Sequence, residues 1–109
     1  MKLTLLKGYP DYVGKRTILC GSGVGPSSYT QLASGGDVIQ PPQFQNYIDV
    51  LFPALTLSGT YIVYPFPTAV GPRATWALMW VTRSTGAEVA GATDLSAEKV
   101  QLGGFGGVY

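Results

Sequence analysis

The apolar residues of this chain fall into short runs that alternate with polar residues and end at glycine or proline. In Ala54–Tyr64 the alternation places Leu55, Leu57, Tyr61 and Val63 on one face of an extended strand, which we expect to point inward. In Ala74–Arg83 both faces are apolar, with Trp76, Leu78 and Trp80 on one side and Ala77, Met79 and Val81 on the other. Because both faces are apolar, we predict a strand covered on both sides, as a central strand or by a neighbouring subunit.

The remaining apolar runs indicate further short strands joined by turns. They lie at Lys2–Leu6, Lys15–Cys20, Asp37–Gln40 and Val100–Leu102. The glycine-rich stretch Gly21–Ser28 is typical of a loop, and Arg83–Gly86 of a hairpin turn. Phe44–Phe52 has the apolar spacing of a short helix, whereas its aromatic and β-branched content favours a strand. These features predict an all-β fold, a single-domain β-sandwich or small β-barrel of about six to seven short antiparallel strands across residues 1–109.

The chain ends in a glycine-rich aromatic segment, Gly103–Tyr109, which we predict to be a C-terminal tail. Glycine loses much backbone entropy on ordering, so Phe105 and Tyr109 need pockets to hold such a segment. It is either a last edge strand on its own domain or an arm that docks on a neighbour, and we favour the arm. The candidate interface residues are therefore Met79, Val81, Phe105, Val108 and Tyr109.

Charge is scarce: 46% of the residues are apolar and 12% are charged, with a net charge of +1. The segments Thr17–Gly36, Val50–Pro72 and Ala74–Thr82 carry no charge. A domain of this size has a large surface to cover with polar groups, so we predict that other copies or another protein cover it. No basic cluster beyond Lys15-Arg16 suggests nucleic acid or an anionic membrane as a partner. Prolines and glycines within the charge-free Val50–Pro72 argue against a transmembrane helix.

The residue types favour no enzymatic chemistry, so we predict that the protein is not an enzyme and has no cofactor. The chain lacks histidine, and its single cysteine, Cys20, is expected to be a buried and inert thiol. A lone cysteine forms no internal disulfide, which fits folding in a reducing cytoplasm. The carboxylates of Glu88, Asp94 and Glu98 are expected to be solvated and not to form a catalytic pair or a metal site. Glycines at 21, 23 and 25 match a dinucleotide-binding fingerprint poorly, because no helix-forming run follows them.

Aromatic side chains are numerous, with seven tyrosines, four phenylalanines and two tryptophans. Tyrosine suits interfaces that are apolar yet able to form hydrogen bonds. It also suits stacking on sugars, so a carbohydrate- or ligand-binding β module is the alternative. Asn46 is the only asparagine available to bind sugar hydroxyls, which disfavours that alternative.

Three segments carry a resemblance to a known class of proteins: the Ser58-Gly59-Thr60-Tyr61 strand, the Arg73–Trp80 strand and the Gly103–Tyr109 tail. In these segments and in its overall character the chain resembles small tailed-bacteriophage virion proteins of the capsid decoration or head-stabilising type. The resemblance implies a β-rich homo-oligomer, often a trimer, that binds a major capsid protein and reinforces the lattice. It implies location in the virion after synthesis in the host cytoplasm.

Overall fold

The computed structural model describes residues 1–6, 11–13, 16–39, 48–67 and 76–107. Within these residues the chain forms two antiparallel β-sheets and one short 3-10 turn, Leu32–Ser34, which confirms the prediction of a small all-β sandwich. The strands are β1 Leu3–Leu5, β2 Asp11–Val13, β3 Arg16–Val24, β4 Asp37–Val38, β5 Ile48–Leu51, β6 Ala54–Leu55, β7 Tyr61–Pro67, β8 Trp76–Thr82 and β9 Lys99–Gly107.

The first sheet is built around the long pair β3 and β9. Its strand order is β1-β3-β9-β5, and β2 also pairs with β3. The two central strands are in register over nine residues, from Arg16 opposite Gly107 to Val24 opposite Lys99. Residues 21–24, predicted to be a loop, therefore continue β3. A side chain at residue 23 would crowd the start of the chain, because a Cβ on Gly23 would lie 2.9 Å from the Lys2 carbonyl oxygen and 2.7 Å from the Met1 sulfur.

The C-terminal segment is a strand at the centre of this sheet. Residues 103–107 lie in β9, with β3 on one side and β5 on the other. The predicted tail is thus wrong for these residues, both as an edge strand and as a free arm. Backbone hydrogen bonds on both edges of β9 offset the entropy that its glycines lose. Val108 and Tyr109 lie outside the described residues.

The second sheet has the strand order β4-β8-β7-β6, and β7 pairs with β8 over seven residues. The predicted strand at Ala54–Tyr64 is interrupted by a turn, where Gly59 has a φ of +76° and its N–H donates to the Thr56 carbonyl. Because the chain reverses there, β6 pairs back on β7. Leu55 and Leu57 are consequently 48% and 71% exposed, which contradicts the prediction that they point inward.

The hydrophobic core lies between the two sheets. Trp76, Leu78 and Trp80 of β8 belong to it, so the predicted inward face of this strand is correct. The other members of the core include Leu3, Leu19, Tyr29, Ile39, Leu51, Val63, Val89, Leu95, Val100 and Leu102.

Buried polar contacts connect the long β3–β4 segment to β8. The Tyr29 hydroxyl accepts a hydrogen bond from the Trp80 backbone N–H at 3.0 Å and donates to Glu88 Oε2 at 2.8 Å. The same carboxylate oxygen accepts from the Leu32 N–H. Asp37 accepts from Trp80 Nε1 at 3.1 Å and also binds the Met1 ammonium. These contacts anchor the crossing segment to the sheet that it joins.

The buried hydroxyl of Tyr29 is expected to make the folded protein less stable as the pH rises above about 10. Burial, together with the adjacent Glu88 carboxylate, raises the pKa of its hydroxyl above the ordinary 10.0. Above about pH 10 the unfolded chain loses this proton while the folded chain keeps it, so the unfolded state is favoured as pH rises. We expect the free energy of unfolding of Tyr29→Phe to fall less steeply between pH 9 and 11 than that of the parent, as measured by urea titration. Parallel pH dependences for the two proteins would contradict this assignment.

Candidate interaction surface

The outer side of the second sheet is apolar across all four of its strands. Side chains alternate between the two faces of a strand, and the partners of outward residues also point outward. Ile62 is opposite both Leu55 and Val81, Tyr64 is opposite Met79, and Phe66 and Val38 are both opposite Ala77. We refer to the accessible members of this set as the apolar face. They are Val38, Leu55, Ile62, Tyr64, Phe66 and Met79.

None of the outward positions described on these four strands carries a charge. Leu55, Phe66 and Val38 are exposed, at 48%, 39% and 36%, whereas Ile62, Tyr64 and Met79 are half-buried. Large apolar side chains that form a contiguous exposed patch are a feature of interaction sites. The arrangement therefore defines an apolar surface suited to contact with another protein.

Two residues in the middle of this side of the sheet are already covered by their own chain. Ala77 is 1% exposed, and Gly36 is so close that a Cβ there would lie 3.0 Å from the Ala77 Cβ and 3.2 Å from Leu32 Cδ1. Val81 is 4% exposed, so almost none of its surface remains to be buried by a partner. Val81 is thus wrong as an interface candidate, whereas Met79 lies within the apolar face.

Proline protects the edge of β7 next to this face. The Tyr61 carbonyl accepts from the Thr56 N–H, so the odd-numbered residues of β7 direct their peptide groups toward β6. Beyond the two residues of β6, that edge presents Pro65 and Pro67, which have no N–H to donate. Addition of another strand is therefore disfavoured at this edge, which leaves the apolar face as the surface for association on this side of β7.

Phe105 forms a smaller apolar patch on the outer side of the first sheet. Its ring packs edge-on against Phe52 with 5.8 Å between the ring centroids. The two side chains are 39% and 48% exposed. This patch belongs to the opposite layer of the sandwich from the apolar face, since Phe105 is in β9 and Phe52 follows β5. Val108 and Tyr109, the other C-terminal candidates, are outside the described residues.

The acidic residues considered as catalytic candidates each take part in local hydrogen bonds. Glu88 binds the Tyr29 hydroxyl, and Glu98 accepts from the Ser58 hydroxyl. Asp94 accepts from the amide and the hydroxyl of Ser96, and these bonds lower the pKa of its carboxyl. Among the described residues, no three metal-binding side chains come together. Cys20 is only half-buried, in contrast to the buried thiol that was expected.

Both tryptophans and one of the tyrosines that were considered for a ligand platform are inside the protein. Trp80 is fully buried, Trp76 is 5% exposed and Tyr29 is 2% exposed. Tyr61 and Tyr64 are half-buried, and Tyr61 packs edge-on against Trp80 with 6.1 Å between the ring centroids. Stacking on a sugar needs exposed rings, so burial removes Trp76, Trp80 and Tyr29 from the rings that the carbohydrate-binding alternative could use.

Comparisons with protein-family models, with curated proteins and with solved structures gave no match. In the part of the chain that the structure describes, no helix has the length and apolar character needed to span a membrane. The sequence pattern identified Met79 as an outward residue but missed Leu55, Ile62, Tyr64 and Phe66. The feature that could have indicated them is the absence of charge from both faces of the segment Val50–Pro72.

Proposed function

We propose that this protein is a non-enzymatic structural protein that associates with copies of itself through the apolar face. The observation that carries the proposal is the set of uncharged outward side chains that continues across β4, β8, β7 and β6. Full burial of a large apolar side chain contributes about 1.5–3 kcal/mol relative to full exposure. Because association itself costs at least about 4 kcal/mol, several residues of the face must be buried together.

The same proposal places the protein in a virus particle, as a decoration protein that binds a major capsid protein. The overall resemblance to small bacteriophage virion proteins and the scarcity of charge support this placement. The patch formed by Phe52 and Phe105 supports it further, because a chain with docking surfaces on both layers can contact two neighbours at once. Chemical cross-linking of purified virus particles, followed by mass spectrometry, tests whether the chain lies next to the capsid protein.

Self-association is tested with Phe66→Glu and Met79→Glu in sedimentation equilibrium. We expect the parent chain to form oligomers and each variant to dissociate at least tenfold more readily, because a buried unpaired carboxylate is costly. Ala97→Glu is the matched control, since it adds the same charge at an exposed residue of a turn distant in sequence from the face. Thermal unfolding of each variant shows whether the fold is retained.

Salt gives a second measure of the same interface. An apolar contact is not screened, so association should persist or become stronger as salt is raised to about 1 M. A parent chain that stays monomeric at high concentration would contradict the proposal. So would a Phe66→Glu variant that associates as strongly as the parent.

A further inference from the structure

A groove with polar and apolar walls, on the outer side of the first sheet, is a second potential binding site. It is open, with a volume of about 510 Å³, and lies across the end of the sheet where β1, β3 and β9 are adjacent. The residues that line it include Lys2, Thr4, Ser22, Val24, Leu57, Lys99 and Gln101. Two lysines line the groove: Lys99 of β9, and Lys2, the residue directly before β1.

The register of the sheet places these side chains in two parallel rows. Lys99 is opposite Val24, and Lys2, which precedes the Leu3–Gly23 pair, lines the same groove. The next row consists of Thr4, Ser22 and Gln101, which offer two hydroxyls and an amide. Adjacent strands are about 4.8 Å apart, so the backbones of the two lysines are separated by about 10 Å.

Both lysines are exposed and lack a counter-ion among the described residues. The nearest acid along the chain is Glu98, whose Oε1 accepts from the Ser58 hydroxyl. The ion pair that the described residues do form joins the Met1 ammonium to Asp37 and involves neither lysine. In a chain with only seven basic residues, two unpaired lysines across one groove produce a local excess of positive charge. The chemistry of the groove therefore suits a ligand with more than one negative charge.

We infer that this groove binds an extended acidic segment of a partner protein. Carboxylates two residues apart in an extended chain are about 6.6 Å apart, within reach of two flexible lysine side chains. Val24 and Leu57, which are 47% and 71% exposed, provide apolar contact for the residues between the carboxylates. No aromatic ring is among the described residues of the groove, which disfavours sugars and single-stranded nucleic acid because both bind by stacking. The inference rests on the proposed structural function, for which it specifies the kind of partner.

The test uses a blocked hexapeptide of alternating glutamate and valine, titrated into the full chain and followed by amide NMR shifts. We expect saturable shifts at Thr4, Ser22 and Gln101, and an affinity that falls as salt is raised. The double variant Lys2→Gln with Lys99→Gln should bind about tenfold more weakly. Arg83→Gln is the matched control, because it removes an exposed cation from a hairpin outside the groove and should leave the affinity unchanged.

Three results with the peptides would overturn the inference. They are absence of shifts at millimolar peptide, equal affinity for the double variant, and equal affinity for a peptide with glutamine in place of glutamate. Tighter binding of heparin or of a thymidine oligonucleotide than of the peptide would also contradict it. Sedimentation of the lysine variants keeps this result separate from the proposed function, since their self-association should match the parent. If peptide binding fails while the parent still associates through the apolar face, only the inference about the groove is wrong.

Discussion

Replacing Trp80 with alanine is expected to lower the free energy of unfolding by about 3–5 kcal/mol. The side chain is fully buried in the core, packs edge-on against Tyr61 and donates its indole N–H to Asp37. The change therefore leaves a large cavity and an acceptor without its donor. Trp76, in the same core, is expected to show a cavity cost in the same range on replacement with alanine. Chemical denaturation followed by circular dichroism measures both losses.

Substitution with phenylalanine separates packing from hydrogen bonding in these two residues. Trp76 Nε1 is buried without a hydrogen-bond partner, so Trp76→Phe removes a polar group that is costly to bury. Trp80→Phe instead removes the donor to a buried carboxylate. We expect Trp80→Phe to be the more destabilising change by about 1–3 kcal/mol. Equal losses would show that the Trp80–Asp37 hydrogen bond contributes little, and a double-mutant cycle with Asp37→Asn would measure that contribution directly.

The inward face of β8 could be predicted because its pattern is locally unambiguous. Trp76, Leu78 and Trp80 are large, apolar and two residues apart, and the core buries all three. The outward residues of the same strand were less predictable. Other parts of the same chain cover both Ala77 and Val81. Ala77 is covered by the segment around Gly36, which lies about 40 residues away in sequence. Such coverage depends on the crossing of the β3–β4 segment, which no local pattern contains.

The region around Gly59 shows a different limit of pattern reasoning. Leu55, Leu57, Tyr61 and Val63 keep one alternation through the turn, so the sequence resembles a single strand with one apolar face. The turn, however, places Ala54 opposite Val63, so both of these residues point inward. Inward positions are therefore even-numbered before the turn and odd-numbered after it. Leu55 and Leu57 become outward as a result. The Ser58-Gly59 pair was the only local sign of this reversal.

The C-terminal segment was mispredicted because its glycine content was considered without the two strands that pair with it. Glycine in an isolated segment favours disorder, but β3 and β5 provide β9 with backbone hydrogen bonds on both edges. Phe105 has an exposed side chain, as expected for an interface residue, but reaches that position as part of a central strand. The groove between Lys2 and Lys99 was missed for the same reason, since its two lysines are 97 residues apart in sequence (99 minus 2) and meet only through β3.

Gly104→Ala is expected to destabilise the protein by about 1–3 kcal/mol, because β5 packs directly on the position that the new Cβ would occupy. That Cβ would collide with the Val50 carbonyl oxygen and lie 2.8 Å from Leu51 Cδ2 and 3.0 Å from Leu51 Cα. Backbone atoms cannot rotate away as a side chain can, so β5 must move from β9. Gly103→Ala is the matched control in the same strand, since its Cβ would lie at an ordinary 3.6 Å from the Leu19 carbonyl oxygen.

The two alanine variants test whether β9 is a central strand, as found here, or a detachable tail. We expect Gly103→Ala to change the free energy of unfolding by no more than about 0.5 kcal/mol. Hydrogen exchange should show faster exchange of the Phe52 amide, which donates to the Gly103 carbonyl, in Gly104→Ala than in Gly103→Ala. If both variants unfold at the same denaturant concentration as the parent, β5 does not pack against β9 as described. If both are destabilised equally, loss of glycine in the strand, and not the contact with Val50 and Leu51, is the cause.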